Sequence, residues 1–248
     1  MGAQYDNIRL FSTARHWTYV GALHEYPALA NATTMPLPVT TWVESLREGS
    51  RSINPHKYRD DALLFETELL SGEPYNLRSV FYCAQSWRDA GAALNATRWY
   101  TVRAAASGGW VQERYVSLMH LVRLEDNLER KLQLAWSAYD LDPTRVEATH
   151  SALWAARSAN AWSQSTFWLG FANAATAESS RDHLFAETDV LAYQFYDEYS
   201  LVAAYTSHFD AAATAAETAL AHAPPAHKAR IATNLARIQK LARDALET

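Results

Sequence analysis

Two kinds of side chain in this sequence could do chemistry: one thiol and one closely spaced pair of carboxylates. Cys83 is the single cysteine and lies in an apolar stretch of helical period. We predict a small buried core residue rather than a catalytic thiol, because nothing nearby would stabilise a thiolate. Asp140 and Asp142 have the Asp-x-Asp form of a metal site, but Pro143 follows directly. We predict that Asp142 caps the next helix and that Pro143 is its first residue.

Three charged residues, Asp60, Glu113 and Arg114, can also be interpreted as a site. A solvated helix face or an ion pair between repeats accounts for them more simply. The sequence shows no nucleophile with an adjacent base, no glycine-rich phosphate loop and no Cys/His metal cluster. From the residues alone we therefore assign no catalytic residue.

The densest aromatic group in the chain comprises Trp99, Tyr100, Trp110 and Tyr115. Trp99 and Tyr100 lie on adjacent faces of a helix, so we predict that they are not both fully buried. A glycine pair before Trp110 lets the chain turn and carry this residue back toward the helices. Two interpretations follow. We favour the first, in which the group packs in the core between repeats. In the second, part of the group is an exposed recognition surface that stacks on an acceptor or anchors a partner protein.

The composition is that of a helical globular protein. With 248 residues, 49% of them apolar and only eight glycines and eight prolines, the chain can form a substantial core. Its net charge of −5 gives no reason to expect a nucleic acid partner. No stretch is long enough for a membrane span, no signal peptide is visible, and a lone cysteine suits a reducing compartment. We predict a cytoplasmic protein.

The residues above are positioned by helices that recur in pairs. One helix ends at Gly91 and the next begins just after it, with Ala96 five residues beyond the turn. The same layout recurs at Ser207 with Ala212, and a third turn falls near Asn160. Small residues at such crossings allow two antiparallel helices to pack closely. This pattern is typical of the 34-residue tetratricopeptide repeat. We predict a mainly α fold, a tetratricopeptide-like superhelix of antiparallel helix pairs.

The N-terminal part differs in pattern and predicts a short β segment. β-forming residues cluster at 8–11 and 17–20 around a polar turn at 12–15. A lone hairpin is marginal, so these strands need a larger sheet or must lie against the helices. A loop with one further strand at 39–43 follows. We place a β and irregular segment at 1–56 and the helical repeat domain at 57–248.

Helical period begins near Tyr58, where Leu63, Leu64, Leu69 and Leu70 fit the buried side of the first helix. Breaks are predicted at 72–74, at the glycine pair 108–109, at 140–143, at 177–181 and at the two prolines 224–225. The polar last helix, about 226–246, suits a solvent-facing cap of the array.

Four segments resemble the C-terminal part of bacterial and phage family-2 glycosyltransferases that carry tetratricopeptide-like repeats. They span nearly the whole chain, and their combination is more specific than any one of them. The residues that carry the resemblance are Ile8 to Phe11 with Trp17 and Gly21 to Tyr26, Gly49 to Ser52 with Lys57 to Asp60, Glu73 and Pro74 with Asn76, Arg78, Phe81 to Ser86 and Gly108 to Trp110, and Arg230 to Ala232 with Asn234.

The resemblance implies that His24, followed by Glu25, closes a nucleotide-sugar-binding catalytic domain. In that family such a histidine completes a site for Mn²⁺ or Mg²⁺, which neutralises the donor's diphosphate. The upstream part of that domain, with its nucleotide pocket and metal motif, has no counterpart here. We therefore expect no cofactor for the isolated chain, and a divalent metal only if a catalytic domain completes the site.

Two functions follow from these observations. The first is a part or subunit of a glycosyltransferase, in which the helical repeats support sugar transfer and another polypeptide binds the donor. The alternative is a non-enzymatic module that binds another protein, as tetratricopeptide-type repeats do. Whether the chain has enzymatic activity, and which sugar or acceptor it would use, stays open at this level.

Overall fold

A computed structural model describes residues 10–33, 35, 37–38, 53–72, 76–172, 183 and 185–246. The described residues are mainly helical, with one short antiparallel hairpin near the N-terminus, as predicted. The helices in the first half of the chain are α1 Lys57–Leu70, α2 Leu77–Asp89, α3 Ala93–Ala105, α4 Val111–Leu124 and α5 Leu128–Leu141. Those in the second half are α6 Val146–Ser158, α7 Trp162–Ala172, α8 Phe195–Tyr205, α9 Phe209–His222 and α10 Pro225–Leu246.

Consecutive helices pack side by side, which the short connections make antiparallel. α1 packs on α2 and α2 on α3, while α5 packs on α6, α6 on α7, α8 on α9 and α9 on α10. A π-helical turn, Val190–Gln194, leads directly into α8 and packs on α6 and α9. The predicted helix pairs are therefore confirmed.

Three turns between paired helices share one geometry. Gly91, Asn160 and Ser207 all adopt a left-handed backbone, with φ of 76°, 54° and 65° respectively. The amide of each turn residue bonds to the carbonyl three positions before it, and the next amide bonds to the carbonyl five positions before it. These two bonds close the preceding helix by the Schellman pattern, which needs one left-handed residue. The same turn thus recurs between paired helices at the three predicted positions.

Five residues beyond each turn, a small side chain lies at the helix crossing. Ala96, Ser165 and Ala212 are each 0% exposed. A methyl or hydroxymethyl group leaves room for the facing helix to come close. Ala96 and Ala212 occupy the crossings predicted for them, and Ser165 fills the same place after Asn160.

The hairpin pairs different segments from those predicted. Strand β1 Thr18–Val20 pairs with β2 Tyr26–Ala28, in the register Thr18 to Ala28 and Val20 to Tyr26. Leu10 and Phe11 are exposed and form no strand. Gly21 starts the connecting loop at φ 112°, where a Cβ would lie 3.0 Å from the Leu23 carbonyl oxygen. This loop returns the chain onto β1, which therefore pairs with Tyr26–Ala28. Ile8 and Arg9 of the predicted partner strand lie outside the described residues.

Two further predictions need correction. In α1 the buried residues are Asp61, Ala62, Phe65 and Leu69, whereas Leu63, Leu64 and Leu70 are 43%, 46% and 67% exposed. The inward stripe follows the spacing of Ala62, Phe65 and Leu69, so only one of the four leucines faces the core. The predicted break at 72–74 agrees with the end of α1 at Leu70, although only Gly72 of it is described. The break at 177–181, the strand at 39–43 and the segment 49–52 lie outside the described residues.

Asp142 does not begin α6, which starts at Val146 with Arg145 at its N-cap position. Its carboxylate accepts hydrogen bonds from the Thr144 amide at 3.3 Å and the Thr144 hydroxyl at 2.6 Å. The aspartate thereby organises the turn between α5 and α6, because its short side chain reaches the backbone two residues on.

The chain forms two compact units, Met1–Glu113 and Arg114–Thr248. The first contains the hairpin and helices α1 to α3, and the second contains α5 to α10. The predicted division into 1–56 and 57–248 stays a prediction.

Candidate functional site

Trp99 and Tyr100 are both buried, at 1% and 0% exposure, so the prediction that one of them reaches the surface was wrong. The indole N–H of Trp99 donates to Glu66 of α1 at 2.6 Å. The ring of Tyr100 meets Phe81 of α2 edge-on, with 6.5 Å between centroids. Trp99 therefore contacts α1 and Tyr100 contacts α2, so two adjacent positions of α3 are both buried.

Tyr115 is also buried, and its hydroxyl accepts a hydrogen bond from the Ala148 amide at 3.2 Å. Its ring lies under the Arg145 guanidinium, 4.1 Å from the centroid. Burial raises the pKa of the Tyr115 hydroxyl well above its ordinary value. Trp110, by contrast, is 46% exposed. Of the four aromatic residues predicted as a recognition surface, Trp110 is thus the one that reaches solvent.

His24 serves packing within the first unit. It adopts φ 52° in the hairpin loop, and its exposed ring stacks on Tyr82 at 4.4 Å between centroids. Its carbonyl accepts a hydrogen bond from Arg78 Nη2 at 3.4 Å. Glu25 beside it is exposed. The described residues contain no group of three His, Cys, Asp or Glu side chains that could hold a metal ion.

Arg78 joins the hairpin to the helices. It lies in the first turn of α2, whose N-cap Asn76 accepts a hydrogen bond from the Arg78 amide at 3.1 Å. The guanidinium carbon lies 5.0 Å from the centroid of Tyr26 and 4.8 Å from that of Tyr82. Such cation–π contacts hold the guanidinium in place without filling all of its N–H donors.

Beside Arg78 lies an open groove of about 470 Å³. The hairpin, the start of α2 and the start of α4 form its walls. Tyr26 and Trp110, which are 40% and 46% exposed, are among the residues that line it. The residues that line it are Tyr26, Asn76, Leu77, Arg78, Gly109, Trp110 and Glu113. Its size is that of a site for a few side chains or a small ligand.

A buried ion pair supports this groove from within. Arg103 of α3 is 0% exposed, and its Nη2 lies 3.4 Å from Glu113 Oε2. The same nitrogen donates to the Trp110 carbonyl at 2.7 Å. Burial raises the pKa of the Glu113 carboxyl, and Arg103 and then Arg78 partly oppose this. Arg78 Nη1 lies 3.8 Å from Glu113 Oε1, so two cations border one carboxylate.

Gly109 lets this arrangement form. It has φ 74°, and a Cβ there would lie 3.0 Å from Arg103 Nη2 and 3.2 Å from the Leu77 Cβ. Glycine therefore permits both the left-handed turn and the close approach of Arg103. This agrees with the prediction that the glycine pair carries Trp110 back toward the helices.

The other candidates for chemistry have structural roles. Cys83 is buried, as predicted, with its thiol 3.8 Å from the Ala62 carbonyl oxygen, and burial raises the pKa of that thiol. Asp60 accepts a hydrogen bond from Asn54 at 3.0 Å. Asp142 lies 3.4 Å from His183 Nε2, while Asp140 is exposed.

Of the residues that build the groove, Trp110 was predicted from the sequence, whereas Tyr26, Arg78 and Arg103 were not. Tyr26 and Arg78 are 52 positions apart in the numbering of the chain, and nothing in either segment alone predicts the cation–π contact. Arg103 lies on the buried side of a helix, where a charged residue usually signals a partner. An ion pair was one of the two interpretations of Glu113, and Glu113 does form one, but its partner Arg103, ten residues earlier, was not predicted.

Within the part of the chain that the structure describes, no helix has both the length and the apolar character needed to cross a membrane.

No family model matches the chain, and no curated protein matches it. Among solved structures, the chain is similar to TTC0263, a thermophilic TPR protein of Thermus thermophilus. The two share 16% identity over 72% of this chain and 91% of that one, with a TM-score of 0.41. The assignment of antiparallel helix pairs therefore rests on the turns and the packing of this chain itself.

Proposed function

We propose that this protein is a protein-interaction module and that the groove beside Trp110 receives part of a partner polypeptide. One observation carries the proposal: the groove exposes a tryptophan, a tyrosine and an arginine together, as Trp110, Tyr26 and Arg78. These three residue types dominate the binding energy of protein interfaces. The paired helices supply the scaffold that holds them.

Contacts within the protein also restrain parts of the groove. The backbone at Trp110 is held through its carbonyl by Arg103, and the Arg78 guanidinium is held over the rings of Tyr26 and Tyr82. A partner would therefore lose less entropy in immobilising Arg78 and this backbone, and this reduces the entropic cost of association. Arg78 offers N–H donors at the edge of the groove, which favours a carbonyl or carboxylate oxygen of the partner.

The glycosyltransferase hypothesis has less support. No matching family model and no curated relative supports it. It would require another polypeptide to supply the donor site, and a metal ion at His24 would need ligands from that polypeptide. A glycosyltransferase catalytic domain therefore remains a candidate partner of the module, and the cytoplasm remains the proposed compartment.

Site-specific photocrosslinking in the source cells tests the proposal. A benzophenone amino acid replaces Trp110 in one variant and Leu94, which is 87% exposed on α3, in another. We expect position 110 to yield a discrete crosslinked protein that position 94 does not. The Arg78→Ala variant should reduce the yield at position 110 because it removes the neighbouring cation.

Equal crosslinking from positions 110 and 94, or none from either, would contradict the proposal. Circular dichroism of each variant confirms that the helices are intact before crosslinking.

A further inference from the structure

The cation in the groove has hydrogen-bonding capacity that the protein itself does not use. Arg78 lines the groove, and its side chain is 34% exposed. In the described part of the chain one hydrogen-bond acceptor contacts this guanidinium, the His24 carbonyl oxygen at 3.4 Å. A guanidinium carries more N–H donors than one such contact occupies. Donors of Arg78 therefore face the groove and can bind an acceptor on the partner.

The described charges around the groove do not cancel. Two arginines, Arg78 and Arg103, border the carboxylate of Glu113, at 3.8 and 3.4 Å. Arg103 is fully buried and also donates to the Trp110 carbonyl. One positive charge is therefore in excess, and Arg78 is the arginine of the two that reaches solvent. Glu25 is exposed, but it is not among the described residues that line the groove.

This local excess is opposite in sign to the net charge of the chain, which is −5. At physiological ionic strength, exposed charges more than about 8 Å apart are largely screened from each other. The groups within a few ångströms of the groove therefore determine which charge binds there. An anionic group of the partner is attracted to Arg78, and a cationic group is repelled.

We propose that the groove receives an acidic segment of the partner, in which an Asp or Glu side chain pairs with Arg78. A neighbouring apolar or aromatic side chain of the segment packs on Trp110 and on the half-buried Leu77. The guanidinium matches the two oxygens of a carboxylate in a planar, bidentate pair. The apolar side chain excludes water from this ion pair and so strengthens it.

This inference rests on the proposed function, because it names the chemistry of the segment that the same groove binds. Selection of a random peptide library, displayed on phage, on the full chain tests it. Peptides that bind wild type but not Trp110→Ala are retained, since they use the groove. We expect these peptides to be enriched in Asp or Glu beside an aromatic or aliphatic residue.

One selected peptide, and an analogue with its acidic residue replaced by the corresponding amide, then test the charge by fluorescence anisotropy. Wild type should bind the acidic peptide at least about tenfold more tightly than the amide peptide. Arg78→Gln should lose this preference. Arg98→Gln, the matched control, removes an exposed arginine of α3 outside the groove and should keep it.

Two readings separate the loss of charge from a loss of folding. The amide peptide should bind wild type and Arg78→Gln equally, which requires an intact groove. Glu113→Gln removes a negative charge and should tighten the binding of the acidic peptide about threefold. A folding defect would weaken binding in both cases.

Groove-dependent peptides without acidic residues would overturn the inference and leave the proposed function standing. So would acidic peptides that bind Arg78→Gln as tightly as wild type. If no selected peptide depends on Trp110, the proposed function itself is wrong, and the inference is wrong with it.

Discussion

At the scale of single residues, burial divides neighbouring tryptophans into two roles. Trp99 is 1% exposed and hydrogen-bonded to Glu66, whereas Trp110 is 46% exposed at the groove. Trp99→Ala should lower the free energy of unfolding by about 3–5 kcal/mol, because it leaves a large cavity. Trp110→Ala should cost less, about 1–2 kcal/mol, because close to half of the residue is already in water.

Urea unfolding followed by circular dichroism, with both variants beside wild type, checks this difference. Similar midpoints for the two variants would mean that their burial is misassigned.

We expect His150 to make the free energy of unfolding depend on pH. Burial first, and Arg123 second, lower the pKa of this histidine to about 4. Between pH ~6.5 and ~4 the unfolded chain binds a proton at His150 that the folded chain does not. The contribution of His150 is therefore complete above pH ~6.5 and is lost as the pH falls toward 4, by roughly 1–3 kcal/mol.

The measurement is the urea midpoint at pH about 7 and about 4.5, for wild type, His150→Gln and His222→Gln. His222 is exposed and serves as the control. His150→Gln should lose less stability on acidification than wild type does. If its loss equals that of wild type, His150 is not the responsible group.

At the scale of elements, the helix crossings set how closely the pairs pack. Ala96→Leu and Ala212→Leu should each cost about 1–3 kcal/mol, because the extra carbons have no space where the helices meet. Ala93→Leu and Ala211→Leu lie on the same helices at exposed positions and should be nearly neutral. Thermal unfolding of the four variants compares them directly. Equal effects at the buried and exposed positions would show that the crossings lie elsewhere.

Much of this element-level structure could be predicted from local chemistry. The turns at Gly91, Asn160 and Ser207 and the small residues five positions later are set by residues near one another in the sequence. The hairpin pairing and the inward stripe of α1 were not predicted correctly. The first depends on which segment pairs with β1, and the second on which face of α1 packs against its neighbour. A β-forming or leucine-rich composition specifies neither.

At the scale of the whole molecule, the two units differ in where their aromatic side chains gather. The first unit holds the groove of Tyr26, Arg78 and Trp110, and the second holds a cluster of aromatic rings around Trp168. Sequence reasoning located Trp110 through its glycine pair, but it also grouped three buried aromatic residues with it. Packing against other helices buries three of these four residues and leaves Trp110 exposed. The sequence of a single helix does not show whether both of its sides are covered.

The central claim is that the groove binds a partner protein through Trp110. The most direct test is the Kd of the crosslinked partner, measured by titration calorimetry against wild type, Trp110→Ala and Leu94→Ala. We predict that Trp110→Ala weakens binding by at least about tenfold, with the partner still bound normally by Leu94→Ala. Equal affinity for wild type and Trp110→Ala would contradict the claim.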